Sequence, residues 1–76
     1  MNKARRKTID EIAAQLSAIR DLIEEVKDEE EEYKDNIPEN MQSGERYETA
    51  ENACSALEEA LDNIDNALDN LSTAME

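Results

Sequence analysis

The sequence predicts an all-α protein, an antiparallel two-helix coiled-coil hairpin, and three observations carry that reading. One glycine and one proline among 76 residues leave almost no turn chemistry for a many-stranded fold. Apolar residues recur at alternating steps of three and four in two separate arrays. The single proline falls between the arrays, where a connection is needed.

The first array runs Ile9, Ile12, Leu16, Ile19, Ile23, Val26, Tyr33 and Ile37, and only Glu30 interrupts it. The second runs Tyr47, Ala50, Cys54, Leu57, Leu61, Ile64, Leu68, Leu71 and Met75 without a slip. Steps of three and four hold a residue set on one stripe of a helix, because a turn takes about 3.6 residues. In heptad letters, Ile9, Leu16, Ile23, Glu30 and Ile37 are a positions of the first helix, and Ile12, Ile19, Val26 and Tyr33 are d positions.

The stretch from Asn36 to Gly44 separates the arrays. Pro38 lacks an amide donor and disfavours helical geometry at Ile37, so the first helix is expected over about 3–36, the connection over 37–43 and the second helix over about 44–75. Pro38 and Glu39 are placed to start one helical turn inside the connection. Ser43 is the expected N-cap of the second helix, with Glu45 and Glu48 near its positive end. At the front, Thr8 and Glu11 have capping-box spacing, although the helical pattern extends back to Lys3. The whole chain reads as one domain.

Charge sets the register. The e positions of the first helix are Ala13, Arg20, Lys27 and Lys34, and those of the second are Glu51, Glu58, Asp65 and Ser72. In an antiparallel pair e faces e, so one register brings Lys34 to Glu51, Lys27 to Glu58 and Arg20 to Asp65. It also brings Ile12 to Met75, Ile19 to Leu68, Ile23 to Ile64, Val26 to Leu61 and Tyr33 to Cys54. Exposed ion pairs contribute only tenths of a kcal/mol each, but like charges at these places would oppose the pairing.

The opposite edge is small and neutral. Ala53, Ala60, Ala67 and Ala74 fill every g position of the second helix, facing Asn36, Glu29, Leu22 and Gln15. Alanine is the best helix former, but four in heptad register with Leu22 opposite Ala67 also suit close packing. A lone hairpin leaves one side of its seam wet. The expectation is a homodimer, two hairpins forming a four-helix bundle, with Leu22 and the four alanines as the self-association residues.

Composition excludes several classes of function. There is no histidine, which removes the commonest general base and the usual zinc and di-iron motifs of helical bundles. No glycine-rich phosphate loop can be built from one glycine. Asp62 to Asn70 looks superficially like a calcium loop, but Ile64 stands where a ligand is needed and the required glycine is missing. Asp28 to Glu32 wraps around a helix and does not converge on one point. Cys54 reads as a core residue, and as the only cysteine it forms no intrachain disulfide. Glu30, on an a position opposite Leu57, reads as a register device or as an opening for a partner. No catalytic site, cofactor or metal is expected.

Net charge is −13, unevenly spread. Lys3, Arg5, Arg6 and Lys7 make the first seven residues basic, whereas residues 8–76 carry only Arg20, Lys27, Lys34 and Arg46 against all 21 acids, a net −17. Such a body repels nucleic-acid phosphates and anionic membranes and attracts basic surfaces. The basic start is short, lacks aromatics and precedes an acidic helix, so strong direct nucleic-acid binding is not expected. No apolar run follows it as in a secretory signal, and none reaches spanning length, so the cytoplasm is the expected compartment.

The segment Asn36-Ile37-Pro38-Glu39-Asn40-Met41-Gln42-Ser43-Gly44-Glu45-Arg46-Tyr47-Glu48, with the alanine repeat from Ala53 to Ala74, resembles the small, highly acidic helical-hairpin accessory proteins of bacteriophages and prophages. The resemblance covers the whole chain and implies a bacterial host cell, but no particular activity. In plan the chain is also similar to the dimeric helical-hairpin RNA-binding protein of plasmids, without a basic face across the bundle.

Two functions fit. One is a non-enzymatic inhibitor that mimics nucleic acid and blocks a basic groove of a host defence or DNA-binding protein. Its candidate partner-binding residues are Glu24, Glu25, Asp28, Glu31 and Glu32 on the first helix and Glu58, Glu59, Asp62, Asp65 and Asp69 on the second. The alternative is an assembly or adaptor protein that captures a partner helix through its apolar stripe.

Overall fold

The computed structural model describes residues 1–76 as two helices, α1 over Lys3–Asp35 and α2 over Glu45–Ala74, packed against each other along a thin rod of 59 × 15 × 12 Å. It has no strand. The all-α hairpin read from the heptads is the fold. Elongation is pronounced: the radius of gyration is 17.4 Å, against about 11 Å for a compact domain of this length.

Local chemistry sets the helix ends. Asn2 caps α1, its Oδ1 accepting from the Arg5 amide at 2.8 Å. That displaces the expected Thr8–Glu11 box. Thr8 lies inside the helix, and its hydroxyl donates back to the Ala4 carbonyl at 3.1 Å. At the far end the chain leaves α1 through Asn36, and the Ile37 amide donates to the Lys34 carbonyl at 3.1 Å. Pro38 then caps a single 3₁₀ turn over Glu39–Met41, its carbonyl accepting from the Met41 amide at 2.8 Å, a place where its own missing amide costs no hydrogen bond.

The N-cap of α2 is Gly44, not Ser43, and no side chain bonds there. The Gly44 amide donates to the Met41 carbonyl, and a Cβ at Gly44 would lie 3.2 Å from that oxygen. The tight approach uses the one glycine and moves the cap past the serine.

Four residues are buried: Ile37, Ala50, Cys54 and Leu61. Three of them, Ile37, Ala50 and Cys54, lie toward the turn end, Ile37 with 2% of its surface exposed. Elsewhere the helices meet through a positions such as Leu16 and Ile23, which are half-buried.

The expected symmetric a/d seam needs correction. Ile12, Ile19, Val26 and Tyr33, the d residues of α1, stay 45–52% exposed, and Leu22 beside them is 61% exposed. Arg20 and Lys27, at e positions, turn into the contact instead, with side chains only 27% and 18% exposed. Their aliphatic stems cover the seam while their charged heads reach its margin. Helix α1 is therefore rotated toward its a/e edge, and one apolar stripe is left without a partner inside the hairpin.

Candidate functional site: two unlike edges of a helical rod

Rotation of α1 gives the rod one charged edge and one apolar edge. On the charged edge α2 presents Glu58, Asp62, Asp65 and Asp69 at steps of four, three and four, which is one row on a helix. Along α1 run Glu24, Asp28 and Glu31 at steps of four and three. Asp28 is 65% exposed, Glu24 47% and Glu31 40%.

Arg20 ties the two rows together. Its Nε donates to Asp65 Oδ1 at 2.6 Å, its Nη2 to Asp65 Oδ2 at 3.3 Å, and its Nη1 to Glu24 Oε2 at 2.7 Å. This fork geometry is what a guanidinium offers and a lysine does not. The Arg20 hydrogen bonds hold the Asp65 carboxyl below the usual carboxylate range and raise the already high pKa of the guanidinium.

The other two register pairs are not made. Lys27 sits 3.8 Å from Asp28 and 3.9 Å from Glu31 on its own helix, not on Glu58. Lys34 lies over the Tyr47 ring, 6.0 Å from its centroid, not on Glu51. Lys27 finds its acids on its own helix, at lower cost in side-chain freedom than a cross-helix pair demands, and Lys34 crosses to an aromatic face on α2 and not to an acid. One ion pair thus marks the register, and Glu58 and Glu51 stay exposed and without a basic partner.

Not all candidate acids share the charged edge. Glu25 and Glu32, at c positions, stand one turn from Leu22 and Glu29 and so rim the exposed stripe of α1. Glu59 occupies the outward face of α2.

The apolar edge joins the exposed stripe of α1 to the small side chains of α2. Ala53, Ala60 and Ala67 are half-buried there and Ala74 is exposed. Every acid of α2 sits at a b, e or f position. None falls at c or g, where Thr49, Ala53, Ala56, Ala60, Asn63, Ala67, Asn70 and Ala74 follow one another. Near the turn this edge opens into a groove lined by Glu30, Tyr33, Glu45, Arg46, Thr49 and Ala50, with the Arg46 guanidinium 5.4 Å from the Tyr33 ring centroid. Glu30 is one wall of that groove.

Cys54 is buried, and desolvation pushes its thiol up, opposed by Lys34 and reinforced by Glu31, Glu30 and Glu58. A thiol held protonated is a poor nucleophile. No three carboxylate or thiol groups converge on a point where a metal ion would sit. No helix is long and apolar enough to cross a membrane. No protein-family model, curated protein or solved structure matches the chain.

The Arg20–Asp65 pair carries a pH signature. Asp65 has a depressed folded-state pKa, so its contribution to stability is present at neutral pH and is lost as pH falls below about 4. Acidification also relieves the repulsion among the remaining acids, so absolute stability is the wrong quantity to follow. The difference between wild type and Asp65→Asn isolates the pair. Thermal melts from neutral pH downward should show the wild-type advantage shrinking toward zero below that window. A difference that stays constant with pH would remove the pair as a stabilising contact.

Proposed function

We propose that this protein is a non-enzymatic acidic binding module that mimics nucleic acid and occupies a basic groove on another protein. The observation that carries this reading is the pairing of two carboxylate rows on one edge of a stiff rod, with Glu58, Asp62, Asp65 and Asp69 beside Glu24, Asp28 and Glu31. Steps of three and four put one carboxylate per about 5 Å of helix axis, of the same order as one phosphate per about 3.4 Å along each DNA strand. Arg20 fixes the rows relative to each other, so their charge is presented pre-arranged.

In the bacterial setting that the phage resemblance implies, the partner is a host defence nuclease or another DNA-binding protein, met in the cytoplasm, and the outcome is inhibition. Nucleic acid and anionic membranes are poor partners for a chain of net charge −13. The protein acts as a homodimer.

A second reading is favoured by one observation, the exposed stripe of Ile12, Ile19, Leu22, Val26 and Tyr33. A helix laid along it would make the protein an assembly or adaptor factor. Affinity capture from a bacterial host, eluted in steps from about 0.1 to 1 M salt, separates the two because exposed charges are screened over this range. A basic nucleic-acid-binding protein released by salt is the expected result. A structural protein that resists salt would overturn mimicry in favour of helix capture.

A further inference from the structure

The exposed stripe of α1 raises the question of what covers it. The chain exposes 5654 Å², about 950 Å² more than is usual for a compact monomer of this mass. A standard interface buries about 800 Å² on each partner. The excess comes with the thin rod shape, and it is area enough for one such interface.

The charge pattern says which occupant fits. The edge of α2 that borders the stripe carries no acid, although α2 holds eight, and its one charge is Arg46 at the turn end. A basic partner would be matched by acids there. A second acidic chain requires their absence, because like charges brought together would oppose association.

The ends of the rod then select an orientation. The turn end is acidic, with Asp28 to Glu32 all carboxylates, and the terminal end begins with Lys3, Arg5, Arg6 and Lys7. Two copies side by side in the same direction would set acidic end on acidic end. Turned end for end, each basic segment meets the other's acidic end.

The register agrees. The midpoint of Lys3–Asp35 is Ile19, itself a stripe residue. A two-fold axis through Ile19 overlaps α1 over its full length on α1 of the second copy, setting Ile12 against Val26 and Arg5 against Tyr33. The Arg20–Asp65 bridge puts Asp65 level with Arg20, so Ala67 lies close to the level of Ile19. The same axis then sets Ala67 against Ala67 and Ala60 against Ala74, small on small along an edge without acids.

We infer that the stripe of Ile12, Ile19, Leu22, Val26 and Tyr33 is covered by a second copy of this chain turned end for end about an axis through Ile19, with the basic segment Lys3–Lys7 against the acidic turn end of the other copy. All four helices then have antiparallel neighbours. The inference rests on the homodimer of the proposed function and adds its interface and direction. It leaves the two carboxylate rows facing outward on each copy.

Three single-cysteine chains in a Cys54→Ala background provide the test: Ile12→Cys, Ile19→Cys and Val26→Cys. These positions are exposed in the hairpin, so the substitutions leave its seam in place. Under a thiol–disulfide buffer, Ile19→Cys should form a covalent dimer. An equal mixture of Ile12→Cys and Val26→Cys should link at least tenfold more into mixed dimers than into self-linked ones, read by mass spectrometry without reduction. Self-linked Ile12→Cys and Val26→Cys dimers in equal or greater amount would overturn the orientation and leave the homodimer standing. A wild-type chain that sediments as a monomer at high micromolar concentration would overturn both.

Discussion

Leu61→Asp should unfold most of the protein at neutral pH. Leu61 is one of only four buried residues and lies near the middle of α2. The substitution removes the core methyl groups and places a carboxylate where no base is free to pair with it. Arg20 is committed to Asp65 and Glu24, and Lys27 to its own helix. The expected loss is about 3–5 kcal/mol. A domain of this length has a total stability of about 4–11 kcal/mol, so the variant keeps little margin. Glu59 faces solvent, and Glu59→Lys should change stability by less than about 0.5 kcal/mol. Urea melts followed by circular dichroism at one protein concentration compare the two directly. Equal shifts would mean that Leu61 is not in the seam.

The heptad arrays made the hairpin legible because periodicity reports which residues share a face, and two such faces with a proline between them leave few arrangements. The Arg20–Asp65 pair was legible for the same reason: opposite charges at facing e positions define a register. The rotation of α1 was not. A heptad pattern gives a and d equal standing, and nothing in it states that the stems of Arg20 and Lys27 would displace Ile19 and Val26 from the contact. The other lysine partners were missed because an i, i+4 acid and a nearby ring compete with any cross-helix acid, and spacing alone does not rank them. Gly44 was passed over as a cap because its role depends on a backbone approach to Met41.

The candidate acids divide in the same way. Glu58, Asp62, Asp65 and Asp69 fall in one row by spacing, and the fold sets Glu24, Asp28 and Glu31 beside them. Glu25, Glu32 and Glu59 were grouped with them by charge alone, and the fold sends them to other faces.

Charge reversal of Glu58, Asp62 and Asp69 together to lysine should weaken binding to a basic partner on the order of 100-fold at low salt. These three are exposed and free of intramolecular ion pairs, so reversing them leaves the Arg20 bridge intact. Asp65 is better left alone, because its loss would disturb the register and confuse folding with recognition. The neutral change Ser55→Ala, on the same face of α2, should leave affinity within about twofold. Helicity of each variant is read alongside. If triple reversal and Ser55→Ala have equal effects, the row is not the contact.

Nucleic-acid mimicry is the central claim, and competition tests it most directly. With the captured basic partner in hand, the complex is formed at low salt and titrated with double-stranded DNA, while a parallel series raises the salt alone. Occupation of a nucleic-acid groove by exposed carboxylates predicts full displacement by DNA and a steep loss of affinity with salt. A complex that survives both saturating DNA and high salt would contradict mimicry.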